Sequence, residues 1–179
     1  MRSAEDGEIT EKCFFRNEYV SPLGKITMYS DGENLVCLAL EKQRAIRVAE
    51  NAAEENLPVF GLAARWLDLY FAEKNPCALQ VPVRFTEGSD FARRVWEILS
   101  EIPYGRTTTY GEIARRIEKE RGTRMSAQAV GGAVGRNPVA IIVPCHRVLG
   151  AGGALTGYQG GLDYKRKLLG IEKIRYKDR

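Results

Sequence analysis

The residues of this chain best suited to nucleophilic chemistry are four cysteines and one histidine, and one of each stands side by side as Cys145-His146. Thiolate is the reactive form of cysteine, and a free thiol near neutral pH is only a few per cent ionised. A neighbouring imidazole that takes the proton typically raises the rate by about 10²–10⁴. On a regular strand, adjacent side chains point to opposite faces. Cys145 and His146 can therefore cooperate only if the backbone turns between them or a water bridges them. Pro144 precedes the pair and a glycine-rich stretch, residues 150–161, follows it, so a turn fits there. The bare dipeptide also fits an inert buried cysteine beside a surface histidine, which is the commoner arrangement.

Cys13, Cys37 and Cys77 form no C-x-x-C pair and no dense framework. The N-terminus is acidic and polar, unlike a secretory signal, so these read as free thiols in a reducing cytoplasm. One histidine is too few for the usual Cys/His zinc site, and no metal or other cofactor is expected. The longest apolar runs are too short to span a bilayer. Residues 1–12 read as a loose tail without a role.

The elements that must position the pair fall into two textures, with a break at Thr86-Glu87-Gly88. In the first, 13–87, Ser21-Pro22-Leu23-Gly24 and Asp31-Gly32 are turn signals around an alternating segment, residues 25–29, with Ile26 and Met28 on one face. Residues 35–40 form the return strand. Helices are expected over 45–55 and 62–72, the latter with Leu62, Trp66, Leu69 and Tyr70 inward. Residues 79–85 alternate as a half-buried strand, placed at an edge by Pro82.

In the second texture, 88–179, Ser89 or Asp90 caps a helix with Phe91, Val95, Ile98 and Leu99 on one face. Thr109 with Glu112 makes a capping box for a helix over 110–117. A charged turn leads to a helix over 126–135, stopped by Asn137-Pro138. Residues 139–143 read as a buried strand ending at Pro144-Cys145-His146-Arg147. A last helix spans 162–171 with Leu168 and Leu169 as its core contacts. The helix over 126–135 is almost bare: Ala127, Ala129, Gly131, Gly132, Ala133 and Gly135 leave little side chain, and each glycine costs a helix about 1 kcal/mol relative to alanine. Tight packing or entry into a narrow DNA groove would compensate. Residues 1–87 carry a net charge of −4 and residues 88–179 one of +8. That asymmetry suits a second half that meets a polyanion.

A dense series of motifs then appears in order: Ile102-Pro103-Tyr104-Gly105-x-Thr107-Thr108-Thr109-Tyr110-Gly111, Ala129-Val130-Gly131-Gly132-Ala133, Asn137-Pro138, Pro144-Cys145-His146-Arg147-Val148, Gly157-Tyr158-x-Gly160-Gly161 and Leu168-Leu169-x-x-Glu172. This series resembles the O6-alkylguanine-DNA alkyltransferase family (methylated-DNA–protein-cysteine methyltransferases) over nearly all of residues 88–179. The first half fits more weakly, through Ser21-Pro22-Leu23-Gly24 and the Trp66–Phe71 segment. The resemblance implies an α/β chain: a small N-terminal ribonuclease-H-like α/β domain, then a mostly helical, winged helix-turn-helix-like C-terminal domain. It implies single-turnover transfer of an alkyl group from O6-alkylguanine in DNA, with O4-alkylthymine a possible second substrate, after minor-groove binding and base flipping.

The implied roles map onto this chain as follows. Cys145 is the alkyl acceptor, His146 draws off its proton through a water, and Glu172 orients His146. Asn137 ties the helix-turn-helix to the active-site strand. Tyr110 helps protonate the leaving guanine, and Tyr158 walls the pocket. The carbonyls of Cys145 and Val148, with backbone around Gln159 and Gly160, read the guanine edge. Ser126, Ala127, Gln128, Gly131 and Gly132 lie in the groove, with Arg124 and Arg136 supplying charge. The expected partner is double-stranded DNA carrying alkylated bases, with single-stranded DNA or free alkylguanine weaker, and the protein is expected to be a cytoplasmic monomer. Gln128 departs from the family, which often has an arginine wedge at this position. Two other classes compete: a damage-recognising DNA-binding regulator, which would lack the reactive cysteine, and a cysteine hydrolase, which would need an acyl substrate and an oxyanion hole.

Overall fold

The structure, a computed structural model, describes residues 14–41 and 51–178. The N-terminal hairpin forms where the turn signals place it. Strands β1 (Phe15–Ser21) and β2 (Gly24–Ser30) pair antiparallel, with Tyr19 opposite Ile26. Ser21 closes the turn: its Oγ donates to the Gly24 carbonyl (2.7 Å) and accepts from the Leu23 N–H (3.1 Å). Ile26 and Met28 are buried, as their alternation predicts. Strand β3 (Leu35–Leu40) pairs antiparallel with β2 and is buried at every position. Strand β4 (Ala53–Glu54) runs parallel to β1, giving the order β3-β2-β1-β4. These two residues were expected to be helical; residues 45–50 of that expected helix, the 1–12 tail and Cys13 lie outside the described residues.

Helix α1 (Pro58–Phe71) begins four residues before the expected Leu62, at a proline whose missing N–H is no loss in the first turn. Its buried face is Val59, Phe60, Ala63, Trp66, Leu67 and Tyr70. Leu62 and Leu69, expected inward, sit half-buried on the flank. Residues 79–85 do not form a regular strand. Only Val83 bridges to Leu35, while the Pro82 carbonyl accepts from the Leu35 N–H (2.8 Å) and the Arg84 N–H donates back (3.0 Å). Pro82 has no N–H of its own to extend the ladder.

The C-terminal half is helical. Helix α2 (Asp90–Ser100) is capped by Ser89, whose side chain accepts from the Ala92 N–H. Strand β5 (Thr108–Thr109) leads into helix α3 (Tyr110–Arg121), where the Thr109/Glu112 capping box is complete. Helix α4 (Ala127–Val134) follows, capped by Ser126. Its two internal glycines cost about 2 kcal/mol relative to alanine. Burial of Val130 alone returns about 1.5–3 kcal/mol, so packing rather than propensity holds this helix. The Trp96 indole N–H donates to the Ala133 carbonyl (2.9 Å), pinning α4 to α2. Gly88 permits that placement: at φ +93° any Cβ would stand 2.6 Å from the Trp96 ring.

Strand β6 (Val148–Leu149) pairs parallel with β5, and helix α5 (Leu162–Ile171) closes the chain with Leu168 and Leu169 fully buried. The segment 139–143 is buried as expected but is not a strand. It folds back on itself through Ile142 N–H to Ala140 O (2.8 Å) and Val143 N–H to Val139 O (3.0 Å), and Ile141 sits at φ +68°. Such a φ is a strained state for a β-branched residue, costing on the order of 1–3 kcal/mol. Residue 38 of β3 holds this segment from the other side. Its N–H donates to Pro138 O (2.9 Å), and its carbonyl accepts from Ala140 N–H (3.0 Å). An N-terminal sheet domain thus grips the loop that leads to Cys145, and one continuous core joins it to the helical C-terminal domain.

Candidate active site

Cys145 opens a single 3-10 turn, Cys145–Arg147, tied by the Arg147 N–H to the Pro144 carbonyl (3.0 Å). In such a turn, consecutive side chains diverge by about 120° rather than the 180° of a strand. The turn sends the two side chains different ways. Cys145 lines a cleft of about 1290 Å³, while His146 is wholly buried behind it.

Glu172, just past the end of α5, is the hub behind the thiol. Its Oε1 accepts from His146 Nε2 (2.6 Å) and from the Tyr70 hydroxyl (2.9 Å). Its Oε2 accepts from Arg147 Nε (2.8 Å) and the Gly105 N–H (2.9 Å). Burial alone would raise this carboxyl, but His146 and the Arg147 guanidinium outweigh it and hold it down at about 2. An ionised carboxylate only accepts, so the network assigns the imidazole proton to Nε2. Nδ1 is then the lone-pair nitrogen, buried and with no hydrogen-bond partner among the described residues. Burial pushes His146 below its ordinary value against the opposing pull of Glu172, so it is neutral near pH 7 and able to take a proton.

Burial also pushes the Cys145 thiol up, opposed by Asn137, by Tyr158 and by the Lys165 charge. At rest it is a thiol, with Sγ 3.9 Å from the Tyr158 hydroxyl. The Asn137 amide Nδ2 donates to the Val143 carbonyl (2.8 Å), and its Oδ1 accepts from the Val139 N–H (3.1 Å). It thereby ties the end of α4 to the folded-back loop before Cys145.

Tyr110, Gln128, Gly131, Tyr158 and Gln159 share the cleft wall with Cys145, as does Ala127. Ser126, Gly132, Arg124 and Arg136 are exposed and off that wall; Gly160 is off it too, buried against the Tyr158 ring. The Val148 carbonyl is engaged by Lys165 Nζ (2.7 Å), which also donates to Thr156 O (3.2 Å).

Four residues of the site were not singled out by sequence reasoning. Lys165 is fully buried without a carboxylate partner among the described residues, and burial pulls it down to about 8 against the pull of Cys145. Its signal was its register: it precedes Leu168 and Leu169 by three and four residues, on the apolar face of α5. Arg147 donates to Glu172 and, through NH1, to Ile102 O (2.6 Å). Tyr70 read as core. Arg115, on α3, lines the cleft near Gly111 and carried no signal of its own.

Gly131 gives a direct test of the close approach that α4 offers. A Cβ there meets the Tyr110 ring at 3.8 Å, an ordinary contact, so Gly131→Ala should bind duplex as well as the parent. A longer side chain must enter the cleft or displace Tyr110, and overpacking costs about 1–3 kcal/mol. Gly131→Leu should therefore weaken duplex binding about tenfold or more. Equal affinity of the two variants in a fluorescence-anisotropy titration would show that α4 does not face DNA.

Two helices joined by a short turn, α3 and α4, beside a cleft with a thiol in its wall, fit a DNA-binding protein. The chain belongs to the 6-O-methylguanine DNA methyltransferase family: that family's ribonuclease-like domain matches residues 15–85 and its DNA-binding domain residues 90–174. It is 42% identical to the methylated-DNA–protein-cysteine methyltransferase of Haemophilus influenzae, over 90% of this chain and 87% of that protein. It is 44% identical to the protein of the same name from Methanosarcina acetivorans, over 86% and 95% of the two chains. Among solved structures it is similar to Mycobacterium tuberculosis OGT in complex with DNA, with a TM-score of 0.77 and 41% identity over 89% of this chain and 92% of that one.

Proposed function

We propose that this protein repairs alkylated DNA by moving the alkyl group of O6-alkylguanine onto its own Cys145, once per molecule. The observation that carries the reading is a cleft-lining thiol beside a neutral imidazole whose far nitrogen is fixed by a buried carboxylate. The alkyl carbon–sulfur bond forms as the carbon–oxygen bond breaks, and the bonding pair leaves with the guanine. The thiol proton passes through a bridging water to His146 Nδ1, and Tyr110, on the cleft wall, hands a proton to the departing base. The imidazolium proton then restores the Tyr110 hydroxyl by way of water, so the net result moves one proton from thiol to guanine. A buried neutral thiol at rest suits this order, because the thiolate forms only as the imidazole takes its proton. The thioether product has no carbonyl for water to attack, so the protein is consumed.

A base inside a duplex cannot reach a thiol in this cleft, so it must be flipped out at a cost of a few kcal/mol. Weakened pairing of an alkylated base lowers that cost. The bare surface of α4 suits a minor groove about 6 Å wide. Gln128 lines the cleft wall, and its amide is the group proposed to hydrogen-bond the orphaned partner base. O4-alkylthymine is a candidate second substrate; the proposed form is a cytoplasmic monomer acting on duplex DNA, with single strands and free alkylguanine weaker. Among the described residues, no helix is long and apolar enough to cross a membrane.

The test is intact-protein mass after incubation with a duplex carrying O6-methylguanine. A methyl in place of the thiol hydrogen, mapped to the Cys145 peptide and reached at one equivalent, is the expected outcome. Catalytic release of methanol, or no mass gain with tight binding, would replace this reading with a hydrolase or a damage-binding regulator.

A further inference from the structure

Tyr70 belongs to α1, in the N-terminal half, yet its hydroxyl lies inside the machinery behind the thiol. It donates to Glu172 Oε1 (2.9 Å), lies 3.3 Å from His146 Nε2 and reaches the Leu168 carbonyl at 3.4 Å. The side chain is wholly buried. Its ring is clamped by Trp66 (stacked, 5.4 Å) and by edge contacts to Phe71, Tyr104 and His146. Packing alone would be satisfied by phenylalanine. A buried hydroxyl aimed at a carboxylate that already has three other donors needs a different account.

We propose that Tyr70 is a positioning residue for alkyl transfer, through which the N-terminal domain sets the orientation and proton affinity of the His146–Glu172 pair. This inference rests on the function proposed above. The hydroxyl fills the last acceptor site of Glu172 Oε1, so the carboxylate cannot rotate away from the imidazole. It also spreads the carboxylate charge over four donors rather than three, which weakens the hold of Glu172 on an imidazolium. The imidazole then stays neutral at physiological pH with Nδ1 free to accept. The other groups around the ring are Arg147 on its own turn, Lys165 and Glu172 at α5, Cys145, and Tyr104 from the loop after α2. Tyr104 donates to Ile171 O (3.3 Å) rather than to Glu172.

The sequence has one histidine, so its NMR titration reads His146 alone. In the unaltered protein the midpoint is expected below 6.5, the ordinary value. Tyr70→Phe keeps the ring and removes the donor; it should raise the midpoint and slow methyl uptake from duplex DNA about tenfold at neutral pH. Replacing Tyr70 with a fluorinated tyrosine, a stronger donor of the same shape, should lower the midpoint. Tyr104→Phe should leave the midpoint where it is. An unmoved midpoint and unchanged uptake in folded Tyr70→Phe would overturn the proposal. If that variant does not fold, an unmoved midpoint in the fluorotyrosyl protein overturns it. Methyl uptake by the unaltered protein is measured alongside, so failure of the functional reading shows there and failure of the Tyr70 inference shows only in the variants.

Discussion

Alanine at position 145 is expected to abolish alkyl uptake while leaving duplex affinity within about threefold of the parent, since phosphate contacts dominate such affinities. Cys145 is only 4% exposed, so truncating it changes little of the surface that meets DNA. On the proposed function the affinity is expected from elsewhere: a C-terminal half with a net charge of +8 and a bare helix α4 on the cleft wall. Among the described residues no other cysteine lines the cleft. Cys37 is buried in the sheet, and Cys77 is exposed beyond α1. Serine at 145 should be as inactive as alanine, because a hydroxyl at its ordinary acidity gives no useful fraction of anion even with His146 behind it. The pair of measurements is intact mass for uptake and anisotropy for binding. Residual uptake by Cys145→Ala would move the acceptor to another residue. Loss of binding together with uptake would mean that the thiol side chain holds the groove helix in place and is not a nucleophile alone.

What could be read before the fold was known depended on how local each signal is. The Ser89 cap, the Thr109/Glu112 capping box and the Ser126 start of α4 each lie within a few residues of their partners, and all three form. The segment 139–143 failed because an unbroken apolar run reports burial and not backbone shape. Its hydrogen bonds close on itself, and the strained Ile141 conformation has no sequence signature. Tyr70 and Lys165 failed for a different reason. Each sits on the buried face of an amphipathic helix, where an aromatic ring or an aliphatic stem packs as well as leucine would. The polar end gains its meaning from a partner far along the chain: Tyr70 and Glu172 are 102 residues apart. Arg147 was in view within the Pro144-Cys145-His146-Arg147 motif, but only the folded turn directs its guanidinium to Glu172 and the Ile102 carbonyl. In sequence, Glu172 alone is an ordinary charge near a helix end; in the fold it is a buried hub.

That hub sets the second large effect. Glu172→Ala removes the acceptor for four donors and leaves the Arg147 guanidinium, 5% exposed, without its carboxylate. Breaking a buried pair from one side costs about 3–5 kcal/mol. For a chain of this size that corresponds to a melting temperature lower by about 6–20 °C. Glu172→Gln keeps the shape and one acceptor oxygen, so it should be the milder change. The charge also sets a pH dependence with a definite sign. The folded carboxyl is held at about 2 against an ordinary 4.5, so its contribution to stability is complete above 4.5 and is lost as pH falls from there towards 2. Glu172→Gln should lack that slope, and its denaturation midpoint should fall less than that of the parent across this window. On the proposed mechanism Glu172 acts through His146, to which it is hydrogen-bonded, so the two losses should not multiply. His146→Ala should slow uptake strongly, Glu172→Gln less so, and the double variant should be little slower than His146→Ala alone. Single-turnover uptake rates for the three variants, each shown to be folded at the assay temperature, decide the matter. Fully multiplicative losses would mean that Glu172 reaches the thiol by a route that does not pass through the imidazole, and its bond to His146 Nε2 would then be structural.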